Sequence, residues 1–332
     1  MKTPSLSYLT VAASIALSCV VSTLSVSAQP AGHNLTAFAK TPLQSDDKLL
    51  LATADGNRTD VLVYGYGFAD LSQASQLENK DDKTRYVFEA LMQYADTTQG
   101  QLRRELAARG AKYEVLWLAN ALWVQAADRE LLLWLDGRPD VAKLSQDVPF
   151  RAQLGMAERG SDPIHPKNAQ PDGVEPGVQQ VNAPAVWAMG YRGQGIVVAD
   201  LDTGVQWDHA SLKAKYRGWD GITVTHHYHW FDPIEGRADA FDDHRHGTHT
   251  VGTVLGDDGL GNQIGVAPDA KWIACRNMDH GEGSVARYVK CFQFALAPTD
   301  TKGNNPTPSK AADITSNSWG CAGDAPYYEE GC

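Results

Sequence analysis

Asp243-His244-Arg245-His246-Gly247-Thr248-His249-Thr250-Val251-Gly252-Thr253 decides how this chain folds and what it can do. Two acids, Asp242 and Asp243, precede the histidines, and from Thr250 to Leu255 the residues are small or apolar enough to be buried. That layout predicts a helix that starts at an imidazole facing a cleft. Upstream, Val197-Val198-Ala199-Asp200-Leu201-Asp202-Thr203-Gly204 reads as a strand that stops at an acid and a glycine turn. The apolar run from Ile196 to Leu201 suits a parallel strand buried on both faces. Ala270 to Cys275 and Ala312 to Gly320 read as further strands. Between them Ser284 to Leu296 reads as a helix, with Val285, Val289, Phe292 and Leu296 on one side. Strands alternating with helices predict an α/β domain on a parallel sheet. In such sheets chemistry gathers at the carboxyl ends of strands, where Asp202 and Gly320 fall.

The amino-terminal half has another rhythm. Asp60 to Tyr66 reads as a strand, and Arg85 to Arg109 as a helix ending at Gly110. Tyr113 to Leu118 and Ala121 to Ala126 form two strand-like runs around Ala119-Asn120. Asp128 caps a short helix, Arg129 to Leu135, and Val141 to Leu144 is a last strand. The order β-α-β-β-α-β predicts an α+β ferredoxin-like domain over residues 45–150. Gly155 to Gly177, with Pro163, Pro166, Pro171 and Pro176, reads as an exposed linker, so residues 151–177 separate that domain from a second one at 178–332.

At 332 residues the chain is long enough for two domains, and 43% apolar with 21% charged residues is a globular composition. A net charge of -11 argues against nucleic acid or anionic membrane as a partner. Lys2, the apolar stretch from Leu9 to Leu24 and the small residues Val26-Ser27-Ala28 read as a secretory signal over residues 1–28, making the expected location extracellular or periplasmic. A membrane anchor, or a lipoprotein acylated at Cys19, are the other readings of this segment. Four cysteines remain after export: Cys275, Cys291, Cys321 and Cys332. An oxidising compartment favours two disulfides with three possible pairings, and proximity favours Cys275–Cys291 and Cys321–Cys332. Asn34-Leu35-Thr36 and Asn57-Arg58-Thr59 match glycosylation acceptors.

Each chemical signal has a plainer reading. Asp202-Thr203-Gly204 alone is a common turn. The histidines at 244, 246 and 249, or those at 226, 227 and 229, could hold zinc, although neither run has the i, i+4 pair of a helical zinc site. His226 to His229 reads better as surface or as subsite lining, and no metal is assigned. Taken together, a strand-end acid followed by a helix-start histidine points to acyl transfer. An imidazole titrates near working pH, so it can accept and then return a proton, while a carboxylate fixes its tautomer.

The second domain resembles the subtilisin-like serine proteases, the subtilase family, and within it the bacillopeptidase F branch. The resemblance rests on Val198 to Gly204, His246 to Thr253, Gly265-Val266-Ala267-Pro268-Asp269-Ala270, Ser316 to Gly320, and Val178 to Pro184. It implies a subtilisin-like parallel sheet with flanking helices. Asp202 would be the orienting carboxylate and His246 the general base. Ser318, Trp319 and Gly320 would pair with a polypeptide substrate. The 45–150 domain is similar to the family's propeptide, an intramolecular chaperone and inhibitor, and Arg138 to Leu144 fits its final strand. Calcium is common in the family. The loop Gly256 to Gln263 offers oxygen ligands but not the length expected of that site, so calcium stays possible and unassigned.

The family takes its nucleophile from a Gly-Thr-Ser block beyond the substrate strand and its oxyanion asparagine from a Gly-Asn element before that block. No Gly-Thr-Ser occurs here, and Gly303-Asn304 precedes the substrate strand. The expectation is therefore a secreted endopeptidase precursor recorded without its carboxyl-terminal part, its sheet incomplete and the 332-residue chain itself inactive. The rival readings are a non-catalytic protease-binding relic and a metal-dependent hydrolase. Asp242 and Asp243 hint at tolerance of basic side chains near the cut.

Overall fold

Asn79 accepts hydrogen bonds from the backbone N–H groups of Asp81 and Asp82 and so starts the long helix of the amino-terminal half. The computed structural model describes residues 48–154 and 173–320, all within one compact unit, Ala37–Cys332. The expected signal segment, the Asn34 acceptor, most of the linker, Cys321 and Cys332 lie outside the described residues.

The first part runs α1 (Lys48–Ala52), β1 (Thr59–Tyr64), α2 (Lys80–Ala108), β2 (Lys112–Leu116), β3 (Ala121–Ala127), α3 (Arg129–Asp136) and β4 (Lys143–Gln146). Its antiparallel sheet has the order β2-β3-β1-β4, the arrangement of a split β-α-β fold. Val61, Val63, Leu106, Leu122, Val124, Leu132 and Leu135 fill the space between sheet and helices. Helix α2 starts at Lys80, not Arg85, because the Asn79 cap and two acids in its first turn suit a helix amino terminus. Asn120 makes the β2–β3 connection in the left-handed region (φ 47°), and Asp128 caps α3 as expected.

Beyond β4 the chain stays extended as β5 (Phe150–Arg151) and β6 (Gln153–Leu154). After the linker come α4 (Pro176–Gln180), α5 (Ala183–Ala188), β7 (Val197–Asp202), β8 (Trp230–Phe231), α6 (His246–Leu255), β9 (Lys271–Arg276), β10 (Met278–Asp279), β11 (Glu282–Gly283), α7 (Val285–Leu296), β12 (Ile314–Ser316) and β13 (Trp319–Gly320). The linker expected to reach Gly177 already gives way to helix at Pro176, a residue suited to a first helical turn. The strand expected from Ala312 to Gly320 is split, since pairing with β7 stops at Ser316 and resumes with another partner at Trp319.

The parallel sheet has the order β12-β7-β9-β8, with α6 on one face and α7 on the other. Strand β7 lies between two neighbours, as its apolar run requires: Asp200 is opposite Ala274 and Ser316, and Asp202 opposite Arg276. A disulfide joins Cys275 on β9 to Cys291 on α7, one of the expected pairs. Helix α7 is apolar on two sides. Cys291, Phe294 and Ala295 pack on the sheet, whereas Val285, Ala286 and Val289 meet Leu62, Leu116 and Ala121 of the amino-terminal part.

Candidate active site

Two glycines let the carboxyl end of β7 touch the amino end of α6. Gly204 has φ +101° and lies where a β-carbon would be 2.1 Å from the Phe241 carbonyl oxygen. A β-carbon on Gly247 would be 2.0 Å from the Gly204 carbonyl oxygen. The approach brings His246 Nδ1 to 2.7 Å from Asp202 Oδ1, with both side chains buried. The Thr203 N–H also donates to Asp202 Oδ1 (2.7 Å), and the Gly247 N–H donates to Thr203 Oγ1 (3.0 Å). Nδ1–H thus donates to the carboxylate and leaves Nε2 as the nitrogen able to take a proton.

The loop before His246 is held by Asp242. Its Oδ1 accepts from Thr203 Oγ1 and from the N–H groups of His244 and Arg245, and its Oδ2 accepts from the Thr248 N–H and hydroxyl. Those bonds keep Arg245 in the left-handed region at φ 71°, a strained conformation for a residue with a side chain. Asp243 pairs with the buried guanidinium of Arg276, which also reaches Asp232 and Asp279. Both acids are engaged inside the fold, which argues against the hint that they confer tolerance of basic side chains near the cut.

The histidines do not gather as a metal set. His246 faces Asp202, while His249 lines a separate cavity of about 790 Å³ with Val178, Leu212 and Ile264. Among the described residues, Asp243, Asp279 and His280 do bring ligand atoms together, but Arg276 already bridges the two carboxylates. His226 packs against Trp207 and Tyr216, and its neighbour His229 is pushed down to about 4 by burial, so these rings are neutral parts of an aromatic cluster. In the loop considered for calcium, Asp257 and Asp258 accept from turn N–H groups and Asp257 also meets Lys215. Both acids are thus engaged in turn contacts, and Asp257 in an ion pair.

Ser318 is exposed, and Trp319 is half-buried with its ring stacked on Tyr288 (centroids 4.0 Å apart, planes at 8°). The Trp319 Nε1–H donates to the Leu201 carbonyl (2.6 Å), which ties the substrate-strand candidate to the strand bearing Asp202. Trp319 and Gly320 pair antiparallel with Leu154 and Gln153, and Gly283 and Glu282 pair antiparallel with Phe150 and Arg151. The stretch after β4 therefore lies extended between two short strands, Phe150-Arg151 paired with Glu282-Gly283 and Gln153-Leu154 with Trp319-Gly320. Phe150 packs with Met278, Tyr288 and Trp319.

Sequence reasoning missed Asn277 and Asp200. The Asn277 N–H donates to the Asp202 carbonyl (2.8 Å) and its Nδ2 to the Leu201 carbonyl (3.2 Å), fixing the strand end. Asp200 was readable from the Asp-Leu-Asp spacing, because residues i and i+2 of a strand share a face.

Residues 193–330 match the family model described as the subtilase family. Bacillopeptidase F of Bacillus subtilis (strain 168) is 44% identical over 171 residues, covering 49% of this chain and 12% of that protein. The major intracellular serine protease of the same strain is 32% identical over 46% of this chain and 43% of its own length. Human furin is 31% identical over 49% of this chain and 20% of its own. The chain thus spans less than half of each of these relatives. Residues 193–330 are thus similar to the subtilase family, and the described residues among them form an α/β fold with a parallel sheet.

Proposed function

We propose that Asp202 and His246 are the orienting acid and general base of a serine endopeptidase, working with a serine and an oxyanion asparagine that are not among these 332 residues. The observation that carries this reading is the buried 2.7 Å contact between His246 Nδ1 and Asp202 Oδ1. In the reaction, His246 takes the nucleophile's proton as it attacks a peptide carbonyl, Asp202 stabilises the resulting imidazolium, and the proton returns to the leaving amine. A polypeptide substrate would add a strand between Glu282–Gly283 and Trp319–Gly320.

In the same reading residues 45–150 are a propeptide that templates folding and blocks the cleft until it is cut away near the linker. Four contacts support it. Asp147 accepts from the Ser284 hydroxyl (2.9 Å) and the Ala286 N–H (3.1 Å), capping the amino terminus of α7 from outside. Lys290 pairs with Glu114 and Lys80 with Asp313. Residues 150–154 pair with Glu282-Gly283 on one side and Trp319-Gly320 on the other, the place this reading gives to a substrate. Export by the amino-terminal signal belongs to this reading, and no helix among the described residues is long and apolar enough to cross a membrane.

The test is to read the coding sequence past the Cys332 codon and treat its full product with a serine-directed phosphonylating reagent. A Gly-Thr-Ser block whose serine is labelled, with labelling lost in His246→Ala, is the expected result. No such block, or labelling indifferent to His246, overturns the reading.

A further inference from the structure

A carboxyl group that the triad does not use lies behind it. Asp200 is 1% exposed on β7, and by strand periodicity it points to the same face as Asp202. Its Oδ1 is 3.1 Å from Thr250 Oγ1 on α6, and its Oδ2 lies against the Gly247 backbone, where a β-carbon would come within 3.2 Å. The acid is wedged between the sheet and the first turn of the helix that carries His246.

The groups around it offer no cation. On its own strand the nearest charge is Asp202, and before α6 it is Asp242. Strand β9 presents Ala274 and β12 presents Ser316 at this register, while α6 contributes Gly247, Thr250 and the imidazole of His246. Burial, then the negative charge of Asp202, push the Asp200 carboxyl well above the usual carboxylate range. Proton counting agrees. The single Thr250 hydroxyl proton has two acceptors in reach, Asp200 Oδ1 and the Gly247 carbonyl (2.9 Å). If Asp200 carries a proton, it donates to Thr250 Oγ1, Thr250 donates to Gly247, and both hydrogens are placed. Asp200 Oδ2 lies against the Gly247 backbone outside ordinary hydrogen-bond geometry, with the Ser316 hydroxyl the other donor near the carboxyl, and in the protonated acid it is a carbonyl oxygen and not half of a charge, a far smaller penalty.

We propose that Asp200 is a positioning residue for the His246–Asp202 pair, acting as a neutral acid whose hydrogen bond runs through Thr250 to the first turn of α6. Neutrality is what the site needs. The hydrogen-bond chain holds the helix start against β7, and a second buried anion behind Asp202 would bind the imidazole's proton too tightly for it to be passed on. The inference rests on the functional reading for its purpose, but its test is spectroscopic and independent of hydrolysis. An inert full-length product would remove the functional reading and leave this measurement standing.

The experiment is an infrared difference spectrum of the 332-residue chain, wild type minus Asp200→Asn, at neutral pH, with an NMR titration of the His246 ring in both. The expected result is a protonated-acid carbonyl band present in wild type and absent in the variant, with the titration midpoint of His246 unchanged. Absence of the band, or a His246 midpoint lower by about one pH unit or more in Asp200→Asn, shows an ionised Asp200 and overturns the proposal. If Asp200→Asn does not fold, Thr250→Ala reads the same link. Loss of the hydroxyl should move the acid's carbonyl band to higher frequency, and an unmoved band contradicts the proposed chain.

Discussion

The α-carbon of Gly247 packs against the carbonyl of Gly204 so closely that a methyl group there would sit 2.0 Å from the oxygen. This contact sets the distance between the acid on β7 and the imidazole on α6. Gly247→Ala must push the helix start away from the strand end, at a cost of about 1–3 kcal/mol typical of overpacking. The denaturation midpoint should fall, and the downfield Nδ1–H resonance of His246 should disappear. A variant that keeps that resonance would show that the contact does not set the pair.

Removing the Asp147 carboxylate leaves the Ala286 N–H and the Ser284 hydroxyl without their partner across the interface. Asp147→Ala should lower the stability of the chain by about 1–2 kcal/mol, the scale of a lost helix cap. Hydrogen exchange should quicken first at the start of α7. Exchange that quickens only inside the amino-terminal sheet would assign Asp147 to that sheet and not to the interface.

Acid should loosen the carboxyl-terminal part through its neutral histidines. Burial depresses His229 to about 4 from an ordinary 6.5, so the unfolded chain takes up the proton first. The stability contribution is complete above pH 6.5, declines as the pH falls, and is gone below about 4. Asp200 acts with the opposite sign. Its elevated value means stability that is full at acid pH and lost as the pH rises through that value. Denaturant midpoints from pH 4 to 7 should therefore vary less in His229→Gln than in wild type, and Asp200→Asn should gain on wild type toward alkaline pH. Parallel curves for all three proteins would refute both assignments.

The disulfide closes a loop between residues 16 apart in sequence, linking the sheet to the helix that the amino-terminal part also grips. Replacing Cys275 and Cys291 together by serine should cost about 3 kcal/mol. Thermal unfolding with and without reductant checks this, and an unchanged midpoint would count against it.

Much of the site was legible because its determinants are local. An acid at the end of an apolar run and a histidine before small residues are visible in the sequence, and so is the β-α-β-β-α-β order. What stayed hidden depends on partners distant in sequence. Asp243 looked available to substrates until Arg276, 33 residues on, proved to be its counter-ion. Helix α7 showed one apolar stripe, Val285, Val289, Phe292 and Leu296, but only Val285 and Val289 meet the amino-terminal sheet, while Phe292 serves the other core with Cys291 and Phe294. Asp200 read as one more residue of a strand because the charge state of a buried acid is set by neighbours from three other segments.

The account is tested most directly by hydrolysis of a chromogenic peptide by two proteins: the 332-residue chain, and the full product of the coding sequence read past Cys332. The account predicts no turnover by the first. It predicts turnover by the second that falls about 10⁴-fold in Asp202→Asn, which can no longer hold the imidazole tautomer. Hydrolysis by the 332-residue chain that vanishes in His246→Ala, or a full product indifferent to Asp202, would contradict it.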